Sequence, residues 1–206
     1  MADPAPALRQ VLHVGCGTAT IANMPAGFQD GSWKEVRFDI NPDVAPDIIG
    51  TITDMDAVDS DSVDAVYSSH NIEHVFPHEV DGVLAEFRRV IKPDGFVVVT
   101  CPDLEEVAKH IAAGRLEDPL YTSPSGPIAP LDILYGHGAA IARGEVYMAH
   151  RTGFTVKTLG AHAQAAGFAG FGLRRRPQNF DLWLIATKLP VANDHVADLL
   201  RRFARA

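Results

Sequence analysis

Short strand-like runs that alternate with longer segments constrain this chain more than any other feature. Val11–Val14, Val36–Ile40, Asp47–Gly50, Val63–Tyr67 and Phe96–Thr100 are runs of β-type residues, the last being the most apolar. Strands separated by crossovers pair in parallel and need cover on both faces, which predicts a doubly wound α/β sheet. Between the fourth and fifth runs, Val80, Val83, Leu84, Phe87, Val90 and Ile91 recur on one face of a helix. Lys92-Pro93-Asp94-Gly95 then ends that helix and turns the chain into the fifth strand. The connection over 18–34 is broken by Met24-Pro25-Ala26-Gly27, so its helix is short or replaced by loop. Further helices are predicted over 104–113 and 155–166, the second stopped by Gly167. Gly170–Arg175 and Phe180–Thr187 read as an antiparallel hairpin through Pro177-Gln178-Asn179. Val196, Leu199, Leu200 and Phe203 mark a closing amphipathic helix.

The 206 residues are 47% hydrophobic, enough for one self-sufficient globular domain spanning the chain. A formal charge of -8 speaks against a broad basic face, so no nucleic-acid partner is expected. No apolar stretch approaches the ~18 residues of a membrane span. The opening Met1–Pro6 lacks a signal-peptide core, and a cytoplasmic protein is expected. Cys16 and Cys101 follow strands one and five with strand four between them, roughly 10 Å apart by strand spacing. A disulfide needs Cα atoms within about 7 Å, so both are expected as free thiols. Residues 115–152 hold Pro119, Pro124, Pro127 and Pro130 among tyrosines and histidines. That is too long for a plain connector and predicts an inserted cap or substrate loop.

Gly15-Cys16-Gly17 follows the first strand directly, where glycines let the backbone approach a ligand closely. Thr20 stands where a nicotinamide-binding fingerprint would carry a third small residue. Asp39, at the end of the second strand, is placed to accept both hydroxyls of a ribose. Asp54 and Met55 lie just past the third strand, where a thioether packs on an adenine and a carboxylate accepts from its amine. The three features at one sheet edge point to an adenosine-type ligand.

The stretches Val11–Thr18, Val36–Pro42, Tyr67–Val75 and Phe87–Phe96, with Ala165-Ala166-Gly167-Phe168, occur in the order of a known family. Over roughly residues 10 to 188 the sequence resembles class I S-adenosylmethionine-dependent methyltransferases, in particular a small bacterial group related to methyltransferase type 11. The resemblance implies seven strands in the order 3-2-1-4-5-7-6, strand seven antiparallel, with helices on both faces. It implies S-adenosylmethionine as cofactor and S-adenosylhomocysteine as product. Gly15 and Gly17 would meet the methionine portion, Asp39 the ribose, and Asp54 with Met55 the adenine. Ser69 and His70 would lie near the reacting methyl, and Cys16 and Ile40 would complete the cofactor contacts. His13 stands where the family usually carries an acid, and Ala19 where it carries a third glycine.

His70, His74 and His78 recur every four residues, and His70-Asn71-Ile72-Glu73-His74 matches H-x-x-E-H. The motif follows a parallel strand at once, and Pro77 interrupts the helix a zinc peptidase would need, so no metal site is expected. A polar turn that caps the next helix is the plainer reading. Methyl transfer needs alignment, a dry pocket and, for a hydroxyl acceptor, a base. His70 and His74 are the catalytic candidates by position; His137 and His150 remain open for the base role. Tyr121, Tyr135, His137 and His150 are the candidates for shaping an acceptor pocket, although each alone also reads as loop packing or a homodimer interface. Arg174-Arg175-Arg176 reads as a solvated strand edge. The expected activity is methylation of a small-molecule acceptor at oxygen or nitrogen. A cofactor-binding but non-catalytic scaffold or regulatory module of the same fold is the alternative.

Overall fold

The computed structural model describes residues 7–123 and 125–204. Met1–Pro6, expected to carry no signal, and Pro124 of the segment expected to form a cap lie outside them. Strands β1 (Arg9–Val14), β2 (Trp33–Asp39), β3 (Ile48–Ile49), β4 (Val63–Ser69) and β5 (Ile91–Pro102) run parallel. Helix α1 (Val80–Val90) carries the chain from β4 to β5. Its buried Val80, Val83, Leu84, Phe87 and Val90 form the predicted stripe. Asp81 in its first turn and Arg88 and Arg89 in its last complement the helix dipole. Ile91 opens β5 instead of closing the helix, and Lys92–Gly95 become a bulge between the Val63–Ile91 and Ala65–Phe96 pairs.

After α2 (Leu104–Ala112) comes a small hairpin, β6 (Tyr121–Ser123) with β7 (Gly126–Ile128). Two short helices, α3 (Pro130–Tyr135) and α4 (Gly138–Ala142), follow it. Helix α5 (Val156–Ala165), capped by the Thr155 side chain on the Thr158 amide, leads to β8 (Gly170–Arg176) and β9 (Asp181–Thr187). Helix α6 (Asn193–Phe203) closes the chain. The seven-stranded sheet has the order β3-β2-β1-β4-β5-β9-β8, and β9 is antiparallel to both its neighbours. That is the expected order once the two strands of the small hairpin enter the count.

Period-two alternation sends neighbouring side chains to opposite cores. Leu12, Val14, Val66, Val97 and Val99 pack on the face covered by α1 and α5. Val11, Ala65, Tyr67, Phe96 and Val98 pack on the other, with Phe28, Trp33 and Phe203. There Pro25 and Gly27 leave only two 3-10 turns, Ile21–Asn23 and Ala26–Phe28, where a helix would run. Phe28 fills that space, its ring 4.6 Å from Phe203 of α6. A third small cluster joins Val107 of α2 to Ile128 and Ile133, anchoring the hairpin and α3 to the domain. Cys16 and Cys101 are both buried free thiols.

The arginine run is not a solvated edge. Arg175 clamps the fully buried Asp103, which also caps α2 by accepting from the Glu105 and Glu106 amides. Arg176 pairs with Asp181 and lies over the Trp183 ring at 4.6 Å, while Arg174 donates to the Ala204 carbonyl. The buried acids that recruit these side chains come from β9 and from the end of β5, so strand alternation alone did not reveal them.

Candidate active site

The carboxyl ends of β1, β2, β3 and β4 surround a cavity of about 490 Å³. Gly15 and Gly17 both hold the left-handed conformation, with φ of +63° and +51°. A Cβ on Gly15 would lie 2.5 Å from the Asn71 side chain, whereas one on Gly17 would meet nothing within 4 Å. The turn thus presses against Asn71 on one side and opens to the cavity on the other. Asp39, only 7% exposed, accepts from the Gly17 amide at 2.7 Å and the Asn41 amide at 2.8 Å. Each of its oxygens, with one bond made, can accept a further one, and Asp39 lines the cavity. Ile40 is a further wall residue.

Four residues expected to touch the cofactor do not line this cavity. Cys16 is buried beneath the turn and does not wall the cavity. Met55 is fully buried in the core, and Asp54 is exposed outside the cavity. The chain turns after β3, with the Asp54 amide donating to the Thr51 carbonyl, and Thr51, Ile52 and Thr53 line the cavity instead. Ser69 bonds Thr100 at 3.0 Å and faces a second cavity of about 380 Å³.

His13 has a carboxylate after all, supplied from the next strand. Its Nδ1 lies 2.7 Å from Oε1 of Glu35, whose Oε2 accepts from the Ile21 amide beyond the glycine turn. Burial pushes the His13 imidazole below its ordinary pKa, and Glu35 only partly offsets it.

His70 lines all three cavities, the third of about 330 Å³. It follows β4 with φ +48°, a strained conformation for a residue with a Cβ. Its side chain is 47% exposed, open onto the cavities it lines. Desolvation pushes its pKa down, and the Glu73 carboxylate raises it back above the ordinary histidine value. Beyond it the H-x-x-E-H residues form a 3-10 turn, Ile72–His74, and not a helix. Glu73 is 1% exposed, and His70 first among the surrounding imidazoles offsets its burial to hold its pKa down. His78 stacks on Phe76, away from the cavities.

Segment 115–152 covers these strand ends. The Tyr147 hydroxyl accepts from the Asn41 side chain at 3.3 Å, and the Arg151 amide donates to the Glu73 carbonyl at 2.8 Å. Tyr121, His137 and His150 line the third cavity; Tyr135, 65% exposed, turns outward. Burial, aided by the neighbouring His74 and His70, holds the His150 pKa below the ordinary value against the pull of Glu73. Tyr147 and Met148 close over the larger cavity.

Asn71 was not foreseen, because it lies two positions past the strand in a turn without a recognisable signature. Its buried Nδ2 has no hydrogen-bond partner. An orphaned donor beside a glycine cradle, with a buried carboxylate across the opening, fits a zwitterionic nucleoside such as S-adenosylmethionine.

Residues 12–99 match the family model of a methyltransferase domain, type 11. No curated protein matches the chain. Among solved structures, it is similar to a Pyrococcus horikoshii protein at 15% identity, over 87% of this chain and 82% of that one, with a TM-score of 0.58. It is likewise similar to a SAM-dependent methyltransferase from Archaeoglobus fulgidus (14% identity, 88% and 86% covered, TM-score 0.54). A SAM-dependent methyltransferase from Methanosarcina mazei gives 16% identity, 90% and 95% covered, and a TM-score of 0.58. At such identities the structural likeness concerns the fold, which agrees with the class I resemblance carried by the motifs.

Proposed function

We propose, from a methyltransferase domain that takes S-adenosylmethionine as methyl donor, that the chain methylates a small-molecule acceptor at oxygen or nitrogen. The observation that carries this reading is the meeting of two cavities at His70, His74 and Met148. The larger has the glycine turn and Asp39; the smaller is walled by the cap. When bound, the cofactor supplies a methyl on positive sulfur: an acceptor lone pair forms the new bond to that carbon as the carbon–sulfur pair withdraws onto sulfur, and the acceptor's proton passes to water or a base.

Gly15 and Gly17 would let the backbone approach the methionine portion, and the unpartnered Asn71 amide would donate to its carboxylate. Asp39 would accept from the ribose hydroxyls and so hold the nucleoside. Thr51, Ile52 and Thr53 hold the adenine edge. His70 lies where both ligands meet and orients the acceptor atom through its imidazole. Tyr121, His137 and the cap's apolar wall set acceptor shape and exclude water.

Calorimetric titration with S-adenosylhomocysteine tests the cofactor site. Wild type is expected to bind, and Asp39→Ala to weaken binding about 100-fold, the loss of ~2.7 kcal/mol of charge-assisted hydrogen bonding. His70→Ala is expected to keep that affinity while methyl transfer to small-molecule pools falls. Absence of binding at millimolar ligand sinks the reading; binding without transfer to any acceptor favours the non-catalytic module.

A further inference from the structure

Glu73, His74 and His150 form a cluster with no task in cofactor binding. Their ligand atoms all lie within 4.8 Å of one another. We infer that these three side chains bind a divalent first-row transition-metal ion, such as zinc or iron(II), on the wall of the acceptor cavity.

The carboxylate makes the first case. Glu73 is 1% exposed, yet neither of its side-chain oxygens has a hydrogen-bond partner. Nδ1 of His70, 3.4 Å from Oε1, is within ion-pair reach but makes no hydrogen bond to it. A buried carboxylate without hydrogen bonds is costly, and native structures pair such groups or place them on a metal.

The imidazoles make the second. Nδ1 of His74 lies 3.1 Å from the Ala149 carbonyl, and Nδ1 of His150 lies 2.7 Å from the Ile133 carbonyl. A carbonyl only accepts, so both Nδ1 atoms carry the hydrogen and both Nε2 lone pairs are left free. That is the tautomer and the backbone support metal-binding histidines use. The two rings are 4.9 Å apart and steeply inclined, at 69°. Tetrahedral ligands at ~2.0–2.1 Å from zinc sit about 3.3 Å from each other, so small side-chain rotations close the set.

The donor set selects the ion. Two imidazoles and one carboxylate suit zinc, iron(II), cobalt(II) or manganese(II), whereas magnesium and calcium prefer all-oxygen shells. All three residues line the 330 Å³ cavity, so the remaining coordination positions face the acceptor space. An acceptor with a hydroxyl or carboxylate oxygen would bind there as an additional ligand. That use of the ion rests on the methyl-transfer reading; the site itself rests only on its residues.

The test uses the full chain stripped with chelator and held without any nucleoside. Zinc is titrated by calorimetry, and cobalt(II) by visible absorption. One equivalent of each is expected, with the cobalt bands of a four- or five-coordinate nitrogen–oxygen site. Glu73→Gln and His150→Ala are each expected to weaken zinc binding about 100-fold or more. His162→Ala, which removes an outer histidine paired with Asp81, is expected to leave it unchanged. No stoichiometric binding by wild type, or undiminished binding by both ligand variants, overturns the site: the cluster then holds shared protons only. The wild-type cobalt spectrum decides even if a variant fails to fold. S-adenosylhomocysteine titrated into the same samples separates the two readings, because either site can fail while the other binds.

Discussion

Gly15 and Gly17 share a left-handed backbone but differ in what a methyl group would meet. Alanine at Gly17 adds only the conformational cost of that region, about 1 kcal/mol. At Gly15 the new Cβ would also displace the Asn71 side chain, 2.5 Å away. Gly15→Ala is therefore expected to lose at least twice the stability lost by Gly17→Ala in urea unfolding; equal losses would refute the close approach. Both glycines were legible from sequence, since few other residues turn so tightly after a strand. Asn71 was not, because its value lies in whom it faces. His70 was legible by position alone, and its positive φ belongs to the same tight strand exit.

At the scale of elements, α1 and α5 were readable from periodicity and capping to within a residue or two. Helix α2 was readable as well, but not what holds it. Asp103 caps it from a fully buried position and is clamped by Arg175 from β8, a strand that arrives long after it. Asp103→Ala is expected to destabilise the fold by about 1–3 kcal/mol, since the helix amides lose their acceptor and the partly exposed Arg175 keeps only its pair with Glu105. Asp103→Asn, which keeps the cap, should lose less. A shift in urea midpoint at unchanged slope would measure both, and equal losses would show that the cap contributes nothing. Segment 115–152, expected to form a cap, followed the same pattern: its length and its prolines were legible, the directions of its side chains were not. Tyr135 points out while Tyr147 reaches Asn41, because Gly136 turns tightly against Met148 and Ala149, where no Cβ fits.

At the scale of the whole molecule, the central sheet carries a titratable group in its interior. His13 sits on β1, facing Glu35, with Arg37 and Asp39 nearby. Its folded pKa lies below the ordinary 6.5, so below that value the unfolded chain binds more protons than the native one. The contribution is fully present above pH 6.5 and is lost as pH falls through the depressed native value. Because β1 lies between β2 and β4, the loss concerns global unfolding. His13→Gln, which keeps a donor to Glu35 but does not titrate there, is expected to lose less stability than wild type between pH 7 and 5. Parallel curves across that window would exclude the mechanism.

The sequence by itself determined the parallel sheet, its strand order by resemblance, the glycine turn and the acid at the end of β2. These features are local: backbone sterics and side-chain periodicity act over a few residues and leave their signature in them. Only the tertiary structure brought Glu35 to His13, Arg175 to Asp103, and His150 to Glu73 and His74. Such unions depend on which face of a turn meets which edge of a distant segment. No residue type or spacing encodes that choice: strand pairing in the sheet made the first two, and the fold of segment 115–152 onto the strand ends made the third.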